Sequence, residues 1–161
     1  MTTGDAPVVH RAPMRSRSDA IDRDRAVDWA LAHGVVGVGG LVGPDGDAAG
    51  RVAERQRRFA EVDRGAFVWT WSSGRGFRLG RISGPARRDA PPGGPEHDLV
   101  VVRACSWIDE EIEPGDVPAD VLAAFERGGR NFQRIRAPGA GERTERVWRA
   151  HAPAGTGAGD S

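Results

Sequence analysis

The chain has 161 residues and a formal net charge of zero, its 23 basic residues balanced by 23 acidic ones. That length sets a single domain with tails, large enough to bury one core. None of the basic residues is lysine and Cys105 is the only cysteine, which excludes Schiff-base chemistry, a P-loop lysine, an intrachain disulfide and a cysteine metal cluster.

Residues 1–17 mix Pro, Gly, Ser and Arg without periodicity and are expected to be a disordered tail. The Gly-rich end, residues 151–161, is expected to be another, leaving a domain at 18–150. The apolar patch from Ala6 to Val9 is too short for a signal peptide. No run approaches the roughly 18 apolar residues of a membrane span, so a cytoplasmic location is expected. Ser18 or Asp19 can cap a helix running through Ile21, Val27, Trp29 and Leu31, with Gly34 as its stop. A short buried strand follows at Val35–Val38. After a Gly/Pro/Asp turn, a second helix is predicted from about Ala48 to Ala60.

Two aromatic-rich strands come next, at 65–72 and 76–83, joined by the turn Ser72-Ser73-Gly74-Arg75. Beyond the loop Ala90–Pro95, an apolar strand is predicted from Leu99 to Val102. Val117-Pro118 opens a helix through Val121, Leu122 and Phe125 that Gly128-Gly129 stops. A last strand is predicted over Asn131–Ile135, and a short helix or coil over Glu142–Trp148. The expected fold class is α+β: a small twisted, mostly antiparallel sheet or partly closed barrel with flanking helices.

The neutral total hides an uneven distribution of charge. Residues 51–88 carry ten arginines against three acids, whereas 96–120 carry eight acids against Arg103 alone. The basic segment suits phosphate, although a solvated helix face accounts for part of it equally well. Alternation puts Phe67, Trp69 and Trp71 on one face of the first hairpin strand. Rings there either close the core or line a cleft; mid-strand Trp69, and Trp107 at the end of a later apolar strand, are expected to pack in the core, and Trp71, beside the turn, to line a cleft. Arg78 and Arg81, three residues apart on one strand, point to opposite sides of the sheet.

Gly37-Val38-Gly39-Gly40 does not read as a dinucleotide-binding loop, because no helix N-terminus follows to hold pyrophosphate. Close backbone approach explains these glycines better. The four histidines lack metal-ligand spacing, and no Ser, His and acid cluster suggests a triad. Neither catalysis, a cofactor nor a metal is expected. Asn131, the sole asparagine, carries both a donor and an acceptor for a base edge.

The order of motifs resembles a known superfamily. A helix ends in glycine before a G-x-G strand, and a helix ending in Phe precedes Gly65-Ala66-Phe67-Val68-Trp69. Gly80-Arg81-Ile82-Ser83-Gly84 follows, then a strand ending at Trp107, and Val117-Pro118 leading to Arg130-Asn131-Phe132-Gln133. Over residues 20–136 this is similar to the PUA-like superfamily, in particular its EVE-like branch and the related readers of modification-dependent restriction systems. The resemblance implies a small barrel that holds a flipped or modified base in an aromatic cleft, with DNA ahead of RNA and an effector such as a nuclease as partner. On this sequence the ligand-binding candidates are Trp71, Phe77, Arg81, Trp69, Trp107, Asn131, Gly39 and Gly40. The phosphate contacts would be Arg78, Arg87, Arg88 and Arg130.

The chain departs from the pattern at Gly40 and after Gly84, where relatives carry aromatics and this sequence has Pro85-Ala86-Arg87-Arg88. Two cage walls are therefore missing. That departure keeps a second reading open: a protein-interaction module of the same fold with a degenerate pocket. An enzyme acting on a small amide or nucleotide is the third alternative.

Overall fold

Six strands form one mixed sheet in a computed structural model that describes residues 7–41 and 49–152. In chain order they are β1 (Val9–Arg11), β2 (Val35–Val38), β3 (Phe67–Ser72), β4 (Gly76–Arg87), β5 (Val101–Trp107) and β6 (Gln133–Arg134). Across the sheet the order is β2-β5-β4-β3-β1-β6. All neighbours run antiparallel except β1 and β3. The sheet curls into a half-barrel flanked by four helices, α1 (Arg23–His33), α2 (Ala49–Glu61), α3 (Ala119–Glu126) and α4 (Ala140–His151). The architecture is α+β, as the sequence predicts.

β1 differs from expectation: Val9–Arg11, assigned from sequence to a tail, lies between β3 and β6 in the sheet. Three residues carry no legible periodicity, and the strand exists because its neighbours supply its hydrogen bonds. The sequence also places the cap of α1 too early. Asp22 is the N-cap, its carboxylate accepting from Asp24 N at 2.8 Å and Arg25 N at 3.3 Å, while Ser16 and Ser18 hold the preceding turn. Gly34 ends α1 in the left-handed conformation (φ 65°), which glycine adopts without a Cβ penalty.

Both faces of the sheet are covered. Val36, Val68, Ile82 and Val102 pack against Ala26, Val27 and Ala30 of α1 and Phe59 of α2. On the other face Phe67, Trp69 and Leu79 pack against Val121 and Ala124 of α3 and Ala140 and Trp148 of α4. Arg103, buried on β5, donates to the carbonyls of Gly84 (2.9 Å) and Phe59 (3.1 Å) and also to that of Val62. It thereby ties the end of α2 to the register shift between Ile82 and Ala86 in β4. Among the described residues no helix is long and apolar enough to cross a membrane.

Trp69 is fully buried, and its indole Nε1 donates to Thr144 Oγ1 at 3.1 Å. Replacing Thr144 by valine keeps the shape and strands that N–H in an apolar core. Thr144→Val is expected to lower unfolding free energy by about 1–3 kcal/mol, read from urea denaturation curves.

Candidate nucleic-acid interface

A cleft of about 160 Å³ opens beside Arg55 and Arg58 of α2, where four other chain segments meet. Its walls are the segment after β1 (Ala12 to Arg17), the end of β2 (Gly37 to Gly39), Asp98-Leu99 ahead of β5, and Arg130 to Gln133 leading into β6. Asp98 ties the first two of these to its own segment. It is buried and left-handed (φ 56°), a conformation Asp tolerates better than most residues. Its Oδ1 accepts from the Gly40 N–H at 2.9 Å and the Leu41 N–H at 3.2 Å, and its Oδ2 accepts from Ser16 Oγ at 2.7 Å.

Gly39 shapes the wall sterically. A Cβ there would lie 2.4 Å from the Asp98 Oδ2, so only glycine admits this carboxylate. The backbone approach anticipated for these glycines thus comes from within the chain. Behind the wall, Gln56 donates to the Gly39 carbonyl at 3.0 Å and accepts from Arg88 at 2.9 Å. Arg15, Arg17, Arg55, Arg58 and Arg130 surround the opening, and Asp98 is the only acid among the described lining residues. Asn131 sits at the rim, its Oδ1 accepting from Arg17 at 2.5 Å.

One aromatic, Phe132, lines this cleft. It stacks on His10 (centroids 4.6 Å apart, planes 11° apart) and meets Phe59 edge-on at 5.0 Å. Burial, followed by the charges of Arg134, Arg136 and Arg103, lowers the His10 pKa from 6.5 to about 4. The imidazole behind the cleft is therefore neutral at physiological pH.

The structure distributes the other sequence-predicted residues elsewhere. Trp71 and Phe77 meet in a separate groove of about 390 Å³, their rings 6.4 Å apart. Arg81 lies in neither. Its guanidinium stacks on Phe67 (4.7 Å), faces Trp148 (6.0 Å) and donates to the Gly65 carbonyl at 2.9 Å. It borders a third, broad depression together with Arg64, Arg134 and Arg136. Arg78 and Arg81 do face opposite sides, since Arg78 pairs with Thr70 and Arg81 with Phe67 across the hairpin. Gly80, next to Arg81, makes room for Trp107 and Cys105: a Cβ there would lie 2.6 Å from each.

Trp69 is core, with no face open to a ligand. Trp107 is half-buried over Gly80, its Nε1 donating to the Val35 carbonyl at 2.9 Å. Arg78 is buried and donates to the Ile108 carbonyl at 2.7 Å, which removes its guanidinium from the surface. Arg87 and Arg88 are exposed beside α2. Of the named candidates, Gly39, Asn131 and Arg130 line the Asp98 cleft, and Gly40 is bonded to its carboxylate. Sequence reasoning missed Ser16 and Asp98, because one lay in an expected tail and the other in a Pro/Gly-rich loop. No local pattern pairs two residues 82 positions apart.

No protein-family model matches the chain, and no curated protein matches it either. Its fold is similar to the YTH domain of the Zygosaccharomyces rouxii MRB1 protein, solved in complex with N6-methyladenosine RNA. That match has a TM-score of 0.53 and 13% identity, covering 95% of this chain and 89% of that one. The Pho92 YTH domain, solved in complex with m6A, matches with a TM-score of 0.52 and 11% identity over 97% of this chain and 90% of its own. At these identities the likeness is one of fold. Both neighbours are YTH domains, where the sequence motifs suggest an EVE-like domain.

Two outcomes follow from the geometry. Gly39→Ala must displace the Asp98 carboxylate, so it is expected to lower the melting temperature by several degrees, about what 1–3 kcal/mol gives a domain of this size. Between pH 6.5 and 4 the unfolded chain binds a proton at His10 that the folded chain refuses, so stability is complete above 6.5 and falls as pH drops through this window. The loss reaches about 3 kcal/mol at the acid end. His10→Phe keeps a stacked ring and should flatten that part of the stability-versus-pH curve.

Proposed function

We propose that the chain binds single-stranded or locally opened nucleic acid and reads one modified or flipped base in the Asp98 cleft, without catalysing a reaction on it. The observation that carries this reading is the cleft itself: a base-sized space with an arginine mouth and a polar floor built from Ser16 and Asp98. A base taken out of its stack needs a shaped pocket, a few hydrogen-bonding groups and cations for the adjoining phosphates. Asn131 and the Ser16–Asp98 pair are the candidates for the base edge, and Arg130 is one for phosphate. The fold likeness to two domains crystallised with N6-methyladenosine ligands supports the same reading.

RNA is the ligand named for one of these neighbours, whereas the EVE-like resemblance implies DNA, so both belong in the test. If DNA is bound, an effector such as a nuclease would supply the output that a non-catalytic reader lacks. One observation favours the rival protein-interaction module: Phe132 is the sole aromatic among the described residues lining the cleft, where a stacking cage would use several.

Fluorescence anisotropy on single-stranded RNA and DNA pentamers separates the two readings. The central base is adenine, N6-methyladenine, cytosine or 5-methylcytosine, at low and at physiological salt. One modified pentamer is expected to bind at least about tenfold tighter than its unmodified partner, the lower end of what a single base contact supplies. Asn131→Ala should shrink that ratio, while Arg130→Gln weakens all pentamers alike and lowers the salt slope by about one. No binding to any pentamer, or equal binding to all, returns the fold to the interaction-module reading.

A further inference from the structure

The groove containing Trp71 lies on the other side of the segment that walls the Asp98 cleft. From Arg11 to Ser16 the lining alternates, and Arg17 also faces the cleft. Ala12, Met14 and Ser16 line the cleft, while Arg11 and Pro13 line the groove. Arg15 lines both. It is exposed and, among the described residues, makes no hydrogen bond or ion pair.

The groove has the composition of a stacking platform. Trp71, Phe77 and Phe125 are each partly exposed, with Phe77 and Phe125 edge-to-face at 5.6 Å. The Arg23 guanidinium sits 5.2 Å from the Trp71 ring centroid, adding a cation to the aromatic surface. Arg11 is buried beneath, its Nη1 donating to the carbonyls of Ala124 at 2.7 Å and Gly128 at 2.6 Å. It thereby fixes the end of α3 that carries Phe125. Arg11, Arg15 and Arg23 face one acid, Glu126, in the lining, so the groove combines apolar rings with net positive charge. An apolar peptide needs the rings alone; a nucleotide uses both.

We infer that this groove is a second subsite, in which the nucleotide adjoining the one in the Asp98 cleft stacks its base on Trp71, with the Phe77 ring, inclined 54° to it, flanking the base, while Arg15 bonds the phosphodiester between the two nucleotides. The inference rests on the base-reading function proposed above and adds a sequence-tolerant neighbour site to it, since every base has a face to stack.

The test compares three ligands: the pentamer preferred in the panel, the same pentamer with abasic nucleotides on both sides of the central base, and the matching free nucleoside. The intact pentamer is expected to bind wild type more tightly than the abasic one. Trp71→Ala should weaken the intact pentamer about tenfold to a hundredfold, the worth of one base stacked on an aromatic ring, and leave the abasic pentamer and the nucleoside unchanged. Trp71→Phe should restore most of the loss. If wild type binds the nucleoside but does not distinguish intact from abasic pentamers, the subsite is overturned while the cleft reading stands, and the groove is left for a protein partner. If Trp71→Ala weakens all three ligands alike, Trp71 acts through the fold and the subsite is again overturned. If wild type binds neither the nucleoside nor any pentamer, both readings fall. The comparison of intact with abasic pentamers uses wild type only, so it holds even if Trp71→Ala folds poorly.

Discussion

A sheet buried on both sides is the constraint from which the rest of this molecule follows. β3 shows it most clearly. Phe67 and Trp69 enter the core under α3 and α4, while Val68 enters the core under α1 and α2. A strand in that position has no free face along its middle. Trp71, near the C-terminal end of the strand, is the one ring of this row that stays partly open. The same double burial turns two arginines into internal braces. Arg78 and Arg103 are each buried against backbone carbonyls, with no carboxylate at bonding distance among the described residues, and burial lowers the pKa of each. A planar guanidinium with five donors can satisfy several carbonyls at once, as Arg103 does with those of Gly84, Phe59 and Val62, whereas Arg78 bonds the Ile108 carbonyl alone.

The cleft depends on a second, more local device. Asp98 takes three hydrogen bonds from two segments that are remote in sequence. The left-handed turn at Asp98 and the missing side chain at Gly39 make room for the carboxylate. A buried carboxylate that accepts from two N–H groups and a hydroxyl is well satisfied, and the other charged residues described around the opening are all arginines. The chain's zero net charge therefore says little about what the surface presents locally. Acids and bases balance over the whole sequence, yet the arginines gather around the openings.

Glycine plays two distinct parts here. At Gly34 it supplies a left-handed backbone that ends a helix. At Gly39 and Gly80 it makes room for other parts of the protein, the Asp98 carboxylate in one case and the Trp107 ring in the other. Both uses look alike in a sequence, because a glycine records only that a side chain is absent. What occupies the space is set by the fold.

Much of the fold is legible from the residues. The stop at Gly34, the strand Val35–Val38, the aromatic hairpin, and the helix that follows Pro118 and ends before Gly128 all arise from local chemistry: caps, alternation and the restricted backbones of Gly and Pro. These are short-range effects, and a short window of sequence contains them. The mostly antiparallel α+β class follows from their order. β1 and the Ser16–Asp98 pair are different, since a three-residue strand and a bond spanning 82 positions have no short-range cause. The division of the candidate site has the same origin. The sequence singled out Trp71, Phe77, Arg81, Asn131 and Gly39 as chemically suitable; tertiary packing alone assigned them to three separate openings. Side-chain type is a property of each residue, but convergence is a property of distances between segments, and only the closed sheet determines those.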